Sequence, residues 1–180
     1  MKFKNIYFKE VFLNFLFYCV IGWIYEVFLE VVVYRWGFSN RGVLFGPYLP
    51  IYGTGAMIFL ILLSNLKSRK ITIGRINLSP FLVFLGIVFI TTLLELAGSY
   101  VMEYTKGDWL WNYEDYFLNF QGRVALNPSI RFGLGGMVIM YGLQPLFEKW
   151  ISKLNPKVIN ILFIVLFALF LLDVAIYFLK

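Results

Sequence analysis

The 180-residue chain contains no histidine. That absence removes every Ser-His or Cys-His nucleophile pair and every His-ligated metal site. Its single cysteine, Cys19, sits in an apolar run, so no intramolecular disulfide can form and no Cys-x-x-Cys site exists. Charge is also scarce: 14% of the residues are charged, with 10 acidic against 16 basic. Soluble domains carry roughly 25%. No GxxxxGK[S/T] loop, HExxH pair or nucleophile elbow occurs. ATP hydrolysis coupled to this chain would therefore belong to a separate partner chain, and the common hydrolase sites are missing. No catalytic residue, metal ligand or cofactor is assigned from the sequence.

What the chain has in excess is apolar surface. Hydrophobic residues make up 61% of it and the mean hydropathy is +0.78. One soluble core of this length cannot hide so much, so the remainder faces lipid. The length suits a single integral membrane domain over residues 1–180. The net charge of +6 gathers in short segments between apolar runs, as at Lys67, Arg69, Lys70 and Arg75. That pattern fits loops beside anionic lipid, and no basic stripe or stacking platform for nucleic acid is present.

A membrane-spanning helix needs about 20 mainly apolar residues. Five segments qualify: Val11–Tyr34, Val43–Ser64, Pro80–Met102, Pro128–Phe147 and Val158–Leu179. Helix breakers interrupt the second (Gly46, Pro47, Pro50, Gly53) and the fourth (Gly133, Gly135, Gly136, Pro145). The predicted fold is all-α, a polytopic bundle of about five transmembrane helices with broken second and fourth helices. The stretch after Lys2, Lys4 and Lys9 is too long for a signal-peptide core and lacks a small-residue cleavage site, so it reads as a retained first span. The N-terminus, the 65–78 loop and the 148–157 loop hold most of the Lys and Arg residues. Positive charge favours the cytoplasmic face, which predicts N-in, C-out topology in a cell membrane. The longest connection, Glu103–Asn127, then lies outside. Trp109, Trp111, Tyr113, Tyr116, Phe117 and Phe120 give it the aromatic density of a membrane interface. Five spans are few for a complete channel, so a homo-oligomer or a partner transporter subunit is expected.

Candidate site residues come from charge placed inside apolar runs. Glu26 and Glu30 in the first span, Glu95 and Glu103 in the third, and Asp173 in the fifth are expensive in hydrocarbon unless partnered, at ~2.5–3.5 kcal/mol each near the bilayer centre. Arg41, Arg123 and Arg131 are available on the same outer side, and a guanidinium fork matches a carboxylate. The expectation is a substrate- or ion-binding polar cluster of Glu26, Arg41, Glu95, Glu103, Asn119 and Arg123 in the outer half of the bundle. Glu30 and Glu103 also suit simple hydration near the interface, and Asp173 suits a helix-packing hydrogen bond. The segment from Asn40 to Gly53 is dense in breakers, with Asn40, Gly42, Gly46, Pro47, Pro50, Tyr52 and Gly53 forming a structural motif. Such a break either shapes the bundle or aims backbone groups at a substrate.

Asn40-Arg41-Gly42, Gly46-Pro47 and Pro50-Ile51-Tyr52-Gly53 resemble the signature of the bacterial ABC-transporter type IV family, the CmpB-like permeases. Ile21-Gly22-Trp23 with Glu26 also fits. So do Glu95, Glu103, Trp111, Tyr113, Asn119, Gly122-Arg123 and Gly133, in order. The chain departs where the family often has Trp-Asp-Tyr-Ser and this sequence has Trp111-Asn112-Tyr113-Glu114. The resemblance implies a small polytopic transport protein or permease with no settled substrate. Two other classes stay open: a membrane enzyme acting on a lipid or lipid-linked substrate, its carboxylates serving as acid or base, and a non-catalytic assembly factor.

Overall fold

A computed structural model describes residues 8–40, 42, 44–109 and 111–179. Arg41, expected in the polar cluster, and Val43, expected to open the second span, lie outside the described residues. Among the described residues the regular elements are helices apart from one small hairpin, in agreement with the all-α expectation. Helix α1 covers Phe8–Phe28 and continues as a π-helical turn over Leu29–Val33. Helix α2 covers Pro50–Ser68, and strands β1 (Thr72–Ile73) and β2 (Ile76–Asn77) form an antiparallel hairpin. Helix α3 covers Ser79–Lys106. Helix α4 (Leu126–Val138), a π turn (Ile139–Leu143) and α5 (Gln144–Ile151) follow as one helical run, and α6 covers Pro156–Leu179.

Among the described residues four helices are long and apolar enough to cross a bilayer: Phe8–Val33, Pro50–Ser68, Ser79–Thr105 and Pro156–Leu179. The 126–151 run, which holds the segment Pro128–Phe147 expected as the fourth of five spans, is not among them. Asn127, Arg131 and Gln144, together with glycines of low hydropathy, dilute its apolar character. The break in the second span also falls elsewhere than the sequence suggests. Residues 44–49 are not helical, and the helix begins at Pro50 and passes Gly53 without interruption. Proline is tolerated in a first turn, where its missing N–H would have no partner anyway. In the fourth segment the irregularity is the π turn just before Pro145, where a ring that cannot donate to the preceding turn is absorbed by the wider helix.

The chain divides into two compact units. The first holds residues up to Ile58 together with Phe147–Lys180. Its core is aromatic: Phe12 and Phe15 on α1 meet Phe163, Phe167 and Phe170 on α6 edge to face, as at Phe12–Phe167 with centroids 5.0 Å apart. Edge-to-face rings place positive edges on negative faces and contribute beyond their area. Helix α2 packs so closely on α1 that a Cβ at Gly53 would strike the Cys19 sulfur and the Phe15 carbonyl. By contrast, a Cβ at Gly55 meets nothing within 4 Å. Gly53→Ala is therefore expected to lower stability by about 1–3 kcal/mol through overpacking, while Gly55→Ala leaves the melting temperature in detergent unchanged or slightly raised. Equal melting of the two variants would refute this packing.

The second unit is Phe59–Leu146. Helices α3 and α4 pack through small residues: a Cβ at Gly133 would meet Phe84 and Val88, and one at Gly136 would meet Ile87. Close backbone approach of this kind is how helices gain dispersion contacts where lipid supplies no hydrophobic drive. Thr92 donates to Ser129 across the same contact at 2.7 Å. At the far end of α4, Lys67 donates to the Met140 carbonyl of the π turn at 2.5 Å, with its ammonium over the Tyr141 ring.

Candidate functional site

In the first unit the breaker-rich motif is tied down by both neighbouring helices. The Trp23 indole donates to Asn40 Oδ1 at 2.8 Å, and the Asn40 amide nitrogen donates to the carbonyls of Leu44 and Phe45. The Leu49 N–H donates to the Cys19 carbonyl at 2.9 Å. From α6, the buried Asp173 carboxylate receives the N–H groups of Phe45 (2.9 Å) and Gly46 (2.8 Å) and the Tyr48 hydroxyl. Burial, and next the Asp173 hydrogen bond, push the Tyr48 phenol above its ordinary value, so it stays a donor at physiological pH. The motif thus consists of backbone donors turned inward onto an acid supplied by a distant part of the chain. Glu26 accepts the Tyr52 hydroxyl, and buried Glu30 accepts from the Ser39 N–H and hydroxyl.

In the second unit a polar line runs along α3. Glu95, Ser99 and Glu103 recur every fourth residue and so share one face, covering about 12 Å of helix. The 107–125 loop folds over this face. Arg123, only 5% exposed, donates to Glu103 Oε2 at 2.6 Å and to Ser99 Oγ at 3.3 Å. Its guanidinium lies between two rings, 3.9 Å from the Trp109 centroid and 4.2 Å from that of Tyr100. Desolvated cation–π contacts of this sort are worth up to about 2 kcal/mol. Deeper along the line, Tyr113 donates to Glu95 Oε1 at 2.9 Å. Burial, and then the Glu95 charge, push the Tyr113 phenol above its ordinary value, with Arg131 acting in the opposite sense. Glu95 Oε2, Arg123 Nε and Trp109 Nε1 are buried with no hydrogen-bond partner among the described residues. An apolar groove of about 360 Å³ opens beside the line, between α3, Leu118 of the loop and the start of α4.

The loop is built to hold this arrangement. Tyr113 N–H donates to the Gly122 carbonyl, Phe120 pairs with Val124, and the Trp111 indole donates to the Arg123 carbonyl at 2.7 Å. Gly122 takes φ +66°, and a Cβ there would strike Asn112 and Glu114. Asn112 Oδ1 accepts the Glu114 N–H at 2.9 Å, a turn-closing role that needs only a side-chain oxygen at that position.

Among the residues expected to cluster, Glu103 and Arg123 meet directly, on the same face as Glu95. The partner of Glu26 in its own unit, and that of Glu95, is a tyrosine hydroxyl where the sequence suggested an arginine. Asn119 spends its amide inside the loop, on the Glu114 and Tyr116 carbonyls and the Gly122 N–H. Sequence reasoning did not find Ser99, the pairing of Tyr52 with Glu26 and of Tyr113 with Glu95, or the anchoring role of Asp173. Ser99 was findable, since it stands four residues from each of two acids. Tyr52 and Tyr113 stood out in the breaker motif and in the resemblance, but nothing in the sequence paired either hydroxyl with an acid.

No curated protein and no solved structure matches the chain. The family described as putative ABC-transporter type IV matches over residues 13–178, nearly the whole length and every element described above. The chain is a multi-pass membrane protein belonging to the putative ABC-transporter type IV family.

Proposed function

We propose that this protein is a transport subunit whose path includes the polar line on α3, and that the group it accepts there is cationic. The observation that carries this reading is Glu95. One carboxylate oxygen takes the Tyr113 hydroxyl and the other is buried without a partner. The Arg123–Glu103 pair balances its own charge, which leaves Glu95 as the excess negative group on the face. A carboxylate in a low-dielectric site with one donor is incomplete, and a cation or a proton completes it. Glu26, half-buried, is a second acid that accepts a tyrosine hydroxyl, that of Tyr52, in the first unit.

The same reading takes the 126–151 run as a fifth crossing, with the N-terminus inside and the C-terminus outside. At 1.5 Å per residue the run is about 39 Å long, enough for a hydrocarbon core of about 30 Å. If it did not cross, the 148–157 segment with Lys149, Lys153 and Lys157 would lie opposite the basic 65–78 loop, against the positive-inside tendency. Alkaline phosphatase fused after Lys180 is expected to be active, and a cytoplasmic reporter fused there silent. The reverse pattern would remove the fifth crossing. Energy from ATP would come from a separate chain, in keeping with the missing phosphate loop.

A bracing role is the competing reading, favoured by Asn119, whose amide is spent within the loop, and by Arg123, whose guanidinium ties the loop to α3. Native mass spectrometry of the purified protein separates the two. A co-purifying cationic molecule, lost in Glu95→Gln with melting unchanged, supports transport. Lower melting with no ligand in either protein supports bracing.

A further inference from the structure

We propose that the hairpin joining α2 to α3 is an anchor that binds anionic lipid headgroups. Both helices it joins are long and apolar enough to cross the bilayer, so a connection this short must sit at the membrane surface. It is held there rigidly. The buried Ser79 hydroxyl donates to the Arg69 carbonyl at 2.5 Å and accepts the Ile71 N–H at 2.9 Å, while Leu78 N–H closes onto the Ile71 carbonyl at 2.7 Å. The turn is Gly74-Arg75, with Gly74 at φ +61°.

The register gives the hairpin two different faces. Ile73 lies directly opposite Ile76, so their side chains share a face, and Ile71 and Leu78 fall on it by the two-residue period of a strand. Ile73 and Ile76 are 69% and 67% exposed. A two-stranded hairpin showing Ile71, Ile73 and Ile76 to water gains nothing from that face and is marginal on its own. Laid flat, the face enters the boundary between headgroups and acyl chains. Arg69, Lys70 and Arg75, all exposed, then stand at the level of the lipid phosphates. The sequence holds no Asp or Glu between Glu30 and Glu95, so this segment carries no acid of its own to satisfy its cations. Charge complementarity therefore selects an anionic membrane surface, and juxtamembrane cations near such a surface each add to binding.

The test uses the full chain with Ile73→Cys labelled by an environment-sensitive fluorophore, Cys19 being fully buried and unreactive. The protein is reconstituted in vesicles of phosphatidylcholine alone, or of phosphatidylcholine with phosphatidylglycerol. With phosphatidylglycerol the emission is expected to shift blue and quenching by aqueous acrylamide to fall several-fold. Raised salt, or the triple change Arg69→Gln, Lys70→Gln, Arg75→Gln, should reverse both. These positions are exposed, so melting serves as the folding control. A probe that stays in water in both vesicles, that is equally buried in both, or that is shielded only when soluble protein is added, would overturn the proposal.

Discussion

Arg123→Ala is expected to free the 107–125 loop from α3, so that protease cleavage across Trp109–Phe120 accelerates by roughly thirtyfold. The guanidinium joins three groups of α3 to one point of the loop: Glu103, Ser99 and the Tyr100 ring. It also stacks on Trp109 within the loop. The Glu103 side chain is 44% exposed, so its share is discounted for hydration once the partner is gone. The ring contacts and the buried hydrogen bond dominate the loss, together about 2 kcal/mol, and 2 kcal/mol alters an opening equilibrium by about thirtyfold. Arg123→Lys keeps the charge but loses the planar stack and the fork, so it should fall between the two. Cleavage at the wild-type rate in Arg123→Ala would show that the loop is held by its own hydrogen bonds alone.

The second large effect is expected at Asp173. Asp173→Ala strands the N–H groups of Phe45 and Gly46 and the Tyr48 hydroxyl, all of which now point at one carboxylate. Each stranded donor costs about 1–3 kcal/mol. The three share one site and do not add fully, so about 3 kcal/mol is expected, seen as a fall of several degrees in the melting temperature in detergent. Asp173→Asn should recover only part of this, because its oxygen still accepts while its amide nitrogen replaces the other carboxylate oxygen and meets at least one of the existing donors. The contrast matters: a helix-packing role for Asp173 would tolerate Asn. Near-native melting of Asp173→Asn would restore that simpler role.

The membrane class was legible from composition, and four of the five expected spans coincide with helices that qualify as crossings. Span length and hydropathy are local properties, so they can be read along the chain. The fourth segment was less legible because its packing depends on glycines, and Gly133 and Gly136 earn their place only against Phe84, Val88 and Ile87 of another helix. The start of the second helix was misread because Pro50 looks the same in a sequence whether it opens a helix or breaks one. In the candidate site charge economy in hydrocarbon named Glu103 and Arg123 without naming them as a pair, and simple hydration near the interface suited Glu103 as well. It named no tyrosine partner for Glu26 or Glu95, since a hydroxyl donor carries no charge signature. Asp173 was seen as a costly acid, but its distance in sequence from Gly46-Pro47 concealed what it holds.

The most direct test asks whether the α3 line opens to cations. Ser99 lies between Glu95 and Glu103 and is fully buried in this structure, and Cys19 is buried as well. Ser99→Cys in reconstituted vesicles should react with a quaternary-ammonium thiol reagent supplied from the loop side, slowly, and faster than with a sulfonate reagent of similar size. That preference should vanish when Glu95→Gln is added. A thiol that reacts with neither reagent under any condition would mean that the line is sealed and braces the helices, which would contradict a transport role for this face.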